Sequence, residues 1–201
     1  MSAISSISSI SYHDNGRPSK GSELRGTHWE PELSASKSKR TRNHKPGALY
    51  RVGSSFYQTD DHKRVTSVCG YLVNEKAPRH TSQQRAVSSL SGTENDVGGH
   101  LIASRFNGTG QAINLVPMNE SVNKANGAWG VMEKEFDGFL VDHDKVEVSI
   151  RITYEDNGSF RPASFFVRCI CRSNNGIIAL RKAHLYVELF FINKLAILLV
   201  I

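Results

Sequence analysis

Asn95-Asp96-Val97-Gly98-Gly99-His100-Leu101-Ile102-Ala103-Ser104-Arg105-Phe106 is the stretch on which the reading of this chain turns. Its two glycines allow backbone to approach a ligand closely and open a strand that carries a histidine. Leu101 and Ile102 then lead into apolar packing that fixes the ring. An imidazole with an ordinary pKa near 6.5 is largely neutral and proton-accepting at physiological pH, so His100 is the candidate base. A histidine beside glycines is also a common structural arrangement, and its neighbours along the chain must decide between the two.

Downstream, Asn107-Gly108-Thr109-Gly110 forms a turn cluster, and Ile113 to Met118 is a short apolar segment closed by Pro117. A helix fits residues 119 to 140, with Ala128, Val131, Met132, Glu135, Phe136, Phe139 and Leu140 recurring at spacings of 3 and 4 on a face that packs against a sheet. Trp129, read as packing, and Glu133 sit four apart on a neighbouring face. Gly127 costs about 1 kcal/mol against Ala in a helix interior, which favours a regular helix beginning there. Lys145 to Ile152 alternates apolar and polar residues and reads as a half-buried strand. Asp156-Asn157-Gly158 turns it back into a partner over Ala163 to Cys171, and Asn174-Asn175-Gly176 marks a further turn.

Upstream, Leu49 to Val52, Ser55 to Gln58 and Arg64 to Val73 read as a hairpin or three-stranded meander, with Asp60-Asp61-His62-Lys63 as the turn. Residues 79 to 85 suit a short helix or a loop. The Ser-rich, basic segment 1–47 has too few apolar residues to offset the entropy of ordering and reads as flexible. Within it Lys37, Lys39, Arg40, Arg42 and Lys45 form a run suited either to phosphates or to plain solvation. The domain proper is placed at 48–172. An atypical apolar tail, 173–201, follows it.

The totals narrow the classes. At 201 residues and 39% hydrophobic content, one core with tails is the expectation. A formal charge of +6 and a pI of about 9.3 permit a polyanionic partner without requiring one. Cys69, Cys169 and Cys171 lack the four-ligand pattern of structural zinc and read as core or strand residues. The N-terminus has neither a basic n-region nor a continuous h-region, so no secretory signal is read there. Leu185 to Ile201 is nearly continuous apolar sequence but short for a bilayer span, so a buried element or sticky tail is favoured over a membrane anchor.

Taken in order, Gly98-Gly99-His100-Leu101-Ile102-Ala103, Asn114-Leu115-Val116-Pro117-Met118-Asn119 and Gly127-Ala128-Trp129 with Glu133 resemble the DNA/RNA non-specific endonucleases. These are the ββα-metal or His-Me finger nucleases, and the nearest likeness is to their bacterial polymorphic-toxin branch. The resemblance covers residues 48 to 167. It implies an α+β fold with a mostly antiparallel sheet and one main helix, the ββα-metal core being the strand pair around His100 and the helix bearing Glu133.

The resemblance also implies roles. His100 activates water, a magnesium ion or another divalent cation stabilises the leaving oxygen, and Arg79 clamps phosphate, with Arg85 and Arg105 as alternatives. Arginine suits that task through permanent charge and bidentate donors. Glu133 supports the water shell of the metal, and Asn114 structures the site or simply forms a turn.

Asn123 is the family's metal ligand by similarity, yet it lies four residues before Gly127 where the family has two. Asn126 competes on geometry, because seven residues separate it from Glu133 and place both on one face of a continuous helix. Helix capping is the other reading for whichever asparagine is not the ligand. Val97 stands where the toxin branch commonly has an acid, leaving Asp96 as the nearest carboxylate.

The function implied by the resemblance is a metal-dependent, sequence-tolerant endonuclease on DNA, with RNA as a second expected substrate, used as a delivered toxin effector acting in a target-cell cytoplasm. A cognate immunity protein is the expected partner. Two rivals remain: a catalytically degenerate nucleic-acid binder of the same fold, and a membrane-active toxin working through residues 185–201. In an enzyme, His100, one of the two asparagines and Glu133 converge on one space; in the binder they diverge.

Overall fold

The structure, a computed structural model, describes residues 29–30, 44–155, 158–173 and 178–186, with backbone alone at 29–30 and 178–186. A seven-stranded sheet runs in the order β1 (Trp29–Glu30), β2 (Leu49–Val52), β3 (Ser55–Thr59), β4 (Val65–Leu72), β7 (Lys145–Thr153), β8 (Ser164–Arg172), β9 (Ile178–Tyr186). Every pairing is antiparallel except that of β1 with β2. A separate ribbon pairs β5 (Asp96–His100) with β6 (Leu115–Asn119). The helices are α1 (Thr81–Ser88), α2 (Glu120–Asn123) and α3 (Ala128–Asp142). The α+β class and the three-stranded meander agree with the sequence reading, and residues 81–88 resolve the helix-or-loop alternative in favour of helix.

The alternation in β7 works as read. Val146, Val148, Ile150 and Ile152 are buried, and register sets them against Cys171, Cys169, Val167 and Phe165 of β8. Trp129, Met132 and Phe136 of α3 close this core, with the Trp129 ring edge-on to Phe165 at 4.8 Å between centroids. The cysteines are free and buried in β4 and β8. The helix stripe needs one correction: Val131 is 41% exposed while Trp129 is 1% exposed. The buried stripe is 129, 132 and 136, so the indole is on the core face itself, where its larger area outweighs that of valine.

Two further expectations change. The glycines do not open the strand, because pairing begins at Asp96↔Asn119 and His100 is its last residue, paired with Leu115. The helix expected over 119–140 is two helices. Asn119 caps α2, its Oδ1 accepting from the Ser121 N–H at 2.9 Å, and Gly127 is the N-cap of α3, where the sequence also favours the start of the regular helix. A Cβ on Gly127 would lie 2.3 Å from the Ser121 carbonyl oxygen, so the break depends on a residue without one.

β1 adds a strand from within the segment read as flexible, and His44 is buried against Tyr50. The basic run at residues 37–42, the turn centred on 156–157, the turn at 174–176 and residues 187–201 lie outside the described residues. Among the described residues no helix is long and apolar enough to cross a membrane.

Asp96 explains how the ribbon is tied to the large sheet. Its carboxylate accepts from Arg161 Nε at 2.7 Å and from Arg161 Nη2 at 3.2 Å, and its side chain is fully buried. Removing one partner of such a pair leaves the other charge poorly compensated. Asp96→Ala is therefore expected to destabilise the fold by about 3–5 kcal/mol, measured by urea denaturation. A change below about 0.5 kcal/mol, the size of an ordinary surface substitution, would show the tie to be idle.

Candidate active site

β5 carries His100 to the end of the ribbon, and the backbone immediately beyond it is braced by one side chain. Asn114, fully buried, accepts from the Ile102 N–H at 2.9 Å and donates to the carbonyls of Ile102 and Thr109 at 2.8 Å each. Leu101 N–H donates to the Asn114 carbonyl at 2.9 Å. An amide that makes three such bonds in the interior fixes the chain that follows the histidine, tying residue 102 to residue 109.

The glycines serve packing. A Cβ on Gly98 would meet the Gln84 carbonyl oxygen at 2.4 Å, and Gln84 Nε2 donates to the Gly98 carbonyl at 3.1 Å, so β5 lies directly against α1. At Gly99 the nearest atoms to such a Cβ are Asn123 Oδ1 and Met118 at 3.1 Å. The close approach read for these glycines is thus to α1 and to Asn123.

A cavity of about 310 Å³ opens beside His100 and is lined by Arg79, Ser104, Arg105, Asn123, Glu133 and Lys134 among others. His100 is 6% exposed, and its Nε2 is buried without a hydrogen-bond partner. Burial, reinforced by the positive charge of Arg79, lowers its pKa to about 4 and keeps the ring neutral. Glu133 is pushed the other way: burial raises its pKa, while Arg105 opposes the rise. Arg105 Nη2 lies 3.6 Å from Glu133 Oε2 and 3.3 Å from Asp137 Oδ2.

His100, Arg79, Arg105, Asn123 and Glu133 are therefore brought together, and Asn126 and Arg85 are not among the residues lining the cavity. Both of the latter are exposed. The argument for Asn126 assumed helix through 126, whereas α3 starts at Ala128 and residues 124–127 form the connection. Capping does not account for Asn126 either, since the residues preceding the helices are Asn119 and Gly127.

Lys134 and Asp137 were not singled out in the sequence. For Asp137 the signal was present in the helix itself, four residues from Glu133 and three from Lys134, whereas Lys134 is not a same-face neighbour of Glu133. Among the described residues no group of three or more His, Cys, Asp or Glu is placed to hold a metal ion. A cation held here would have amide oxygen, a single carboxylate and water to draw on.

A neutral imidazole whose Nε2 is unpartnered, two arginines, an amide oxygen and a carboxylate thus line one cavity, the combination of proton acceptor, fixed positive charge and oxygen donors expected from the sequence. The sequence matches the DNA/RNA non-specific endonuclease family over residues 46–171. The chain belongs to that family. Its curated relatives include the type VII secretion system protein EssD of Staphylococcus aureus, 34% identical over 118 residues, which is 55% of this chain and 19% of EssD. The chain thus spans about a fifth of the length of those relatives.

Among solved structures, EndoG in the EndoG/EndoGI complex aligns with a TM-score of 0.54 at 11% identity, covering 73% of this chain and 76% of that one. NucA from Streptococcus agalactiae with magnesium ion bound aligns at 0.51 and 12% identity, covering 70% of this chain and 73% of NucA. At these identities the likeness is one of fold.

Proposed function

We propose that this chain is a magnesium-dependent endonuclease that cuts DNA and RNA without strong sequence preference. The observation that carries the reading is the convergence of His100, Asn123 and Glu133 on one cavity, the arrangement expected of an enzyme and not of a degenerate binder. His100 takes the proton from the attacking water through its unpartnered Nε2. Arg79 and Arg105 face the phosphate, where permanent charge and planar donors are most effective.

The donor set fits a hard cation. Asn123 offers an amide oxygen beside Gly99, Glu133 offers a carboxylate able to hold coordinated water, and oxygen ligands with retained water are what magnesium favours. NucA, which shares the fold, was solved with magnesium bound, and this supports the choice of ion. When bound, the cation neutralises charge developing on the phosphate and leaving oxygen.

Biologically, the chain is proposed as a delivered effector module acting inside a target cell. The similarity to a type VII secretion system protein supports delivery, and the inhibited EndoG/EndoGI assembly of the same fold supports a protein inhibitor, here an immunity protein. The deciding assay incubates the folded chain with supercoiled plasmid and with RNA, in magnesium and in EDTA. Cleavage of both polymers in magnesium alone is expected. No cleavage in either condition would return the chain to the degenerate-binder reading.

A further inference from the structure

The large sheet has two faces, and the main core cluster packs on one; on the other, Phe56 and Cys69 are also buried. Residues opposite one another in register share a face, so the outer face can be followed strand by strand. Arg51 lies opposite Phe56, Phe56 opposite Cys69, Cys69 opposite Ser149, and Ser149 opposite Arg168. The next row runs Ser67, Arg151, Phe166, and at the far end Lys145 lies opposite Arg172. Arg51, Lys145, Arg151, Arg168 and Arg172 therefore share this face. Glu147, whose charged neighbours are Arg172 and Arg168, is the one carboxylate among the described residues of β2, β3, β4, β7 and β8 that register places there.

The chemistry is more specific than positive charge. Four of the five cations are arginines. Arg151 and Arg172 are exposed, and Arg51 and Arg151 sit over phenylalanine rings, Arg51 at 5.8 Å from the Phe56 centroid and Arg151 at 5.3 Å from that of Phe166. A guanidinium set over a ring keeps planar donors that suit phosphate, although in Arg51 the Nε already donates to the Gly53 carbonyl at 3.3 Å. Successive outward residues along a strand are about 6.6 Å apart, and neighbouring strands about 4.8 Å. The cations thus form an extended field across several strands and not a point site, matching an extended polyanion.

We propose that this outer sheet face is a second nucleic-acid surface, an exosite that grips the phosphate backbone of substrate beyond the segment being cut. The inference rests on the nucleic-acid substrate of the preceding section and is independent of the role given to His100. Arg151 and Arg172 are the chosen probes because they are exposed and belong to neither the core nor the cavity.

The test measures anisotropy of a fluorescein-labelled 40-nucleotide DNA bound to the full chain carrying His100→Ala, with and without Arg151→Ser/Arg172→Ser, across a salt series. Each lost phosphate contact lowers the slope of log affinity against log salt by about 0.7 for a single strand and about 0.9 for a duplex. A fall of about 1.4 to 1.8 is expected, with Kd raised about tenfold at the lower salt concentrations. Lys63→Ser, an exposed charge outside this face, is expected to change the slope by less than half as much as Arg151→Ser alone.

With His100 intact, hydrolysis of bis(p-nitrophenyl) phosphate, too small to span both surfaces, should be unchanged by the double substitution. Unchanged DNA affinity and slope would overturn the exosite and leave the face to an acidic protein. Failure of the catalytic reading shows separately, as a wild-type chain that binds DNA but cuts nothing.

Discussion

Replacing His100 with alanine is expected to slow cleavage of plasmid and RNA by about 10²–10⁴-fold, the usual contribution of a positioned general base, with nucleic-acid affinity retained. The environment of the ring also fixes the pH dependence. Burial and Arg79 hold its pKa at about 4, and the working form is the deprotonated one. The rate therefore falls only as pH drops through that low value, and kcat/KM at pH 5.5 should remain close to its neutral-pH level. An unperturbed histidine would already be mostly protonated there. Arg79→Gln removes one of the two causes of the depression, so the acid limb should move to higher pH while KM rises from the lost phosphate contact. The measurement is kcat/KM from pH 4.5 to 8 for wild type and both variants. A wild-type limb near 6.5, or a His100→Ala chain cutting within about threefold of wild type, would remove His100 from the role of base, since a general base contributes far more than that.

The fold was legible where periodicity was strong and the partner was a sheet. The alternation in Lys145–Thr153 specified both its face and, through register, the face of Ser164–Arg172. The cluster of chemistry-bearing residues was legible because its pieces are rare in combination, and His100, Arg79, Arg105, Asn123 and Glu133 all reach one cavity. What escaped the sequence were contacts between segments distant along the chain. The need for glycine at 98 comes from Gln84, and the use of Asp96 comes from Arg161, 65 residues away. Neither partner has a local signature. Periodicity also misled once, where Ala128 and Val131 suggested a stripe that excluded Trp129. Spacings of 3 and 4 allow several overlapping faces, and only the sheet opposite selects among them.

The choice between the asparagines follows from the same kind of long-range contact and gives the second large effect. Asn123→Ala should weaken binding of magnesium by at least about 10- to 100-fold, a loss seen even for supporting groups around a metal, and should lower the cleavage rate with it. Asn126→Ala should leave both within about twofold, as expected of an exposed substitution away from the site. The reason lies in the break between the helices. Asn119 caps α2, so Asn123 ends that turn with its amide oxygen beside Gly99 on the strand that carries His100. The extra residues before Gly127 are absorbed in the connection, where Asn126 is exposed. Calorimetric titration of the chain with magnesium in the absence of nucleic acid reads the first effect without reference to catalysis. Asn123→Asp, which keeps an oxygen donor and adds charge, should recover cation binding, whereas a purely structural asparagine gains nothing from that change. If Asn126→Ala weakens binding and Asn123→Ala does not, the break between α2 and α3 has been assigned the wrong consequence, and the cation is held on the far side of the connection from His100.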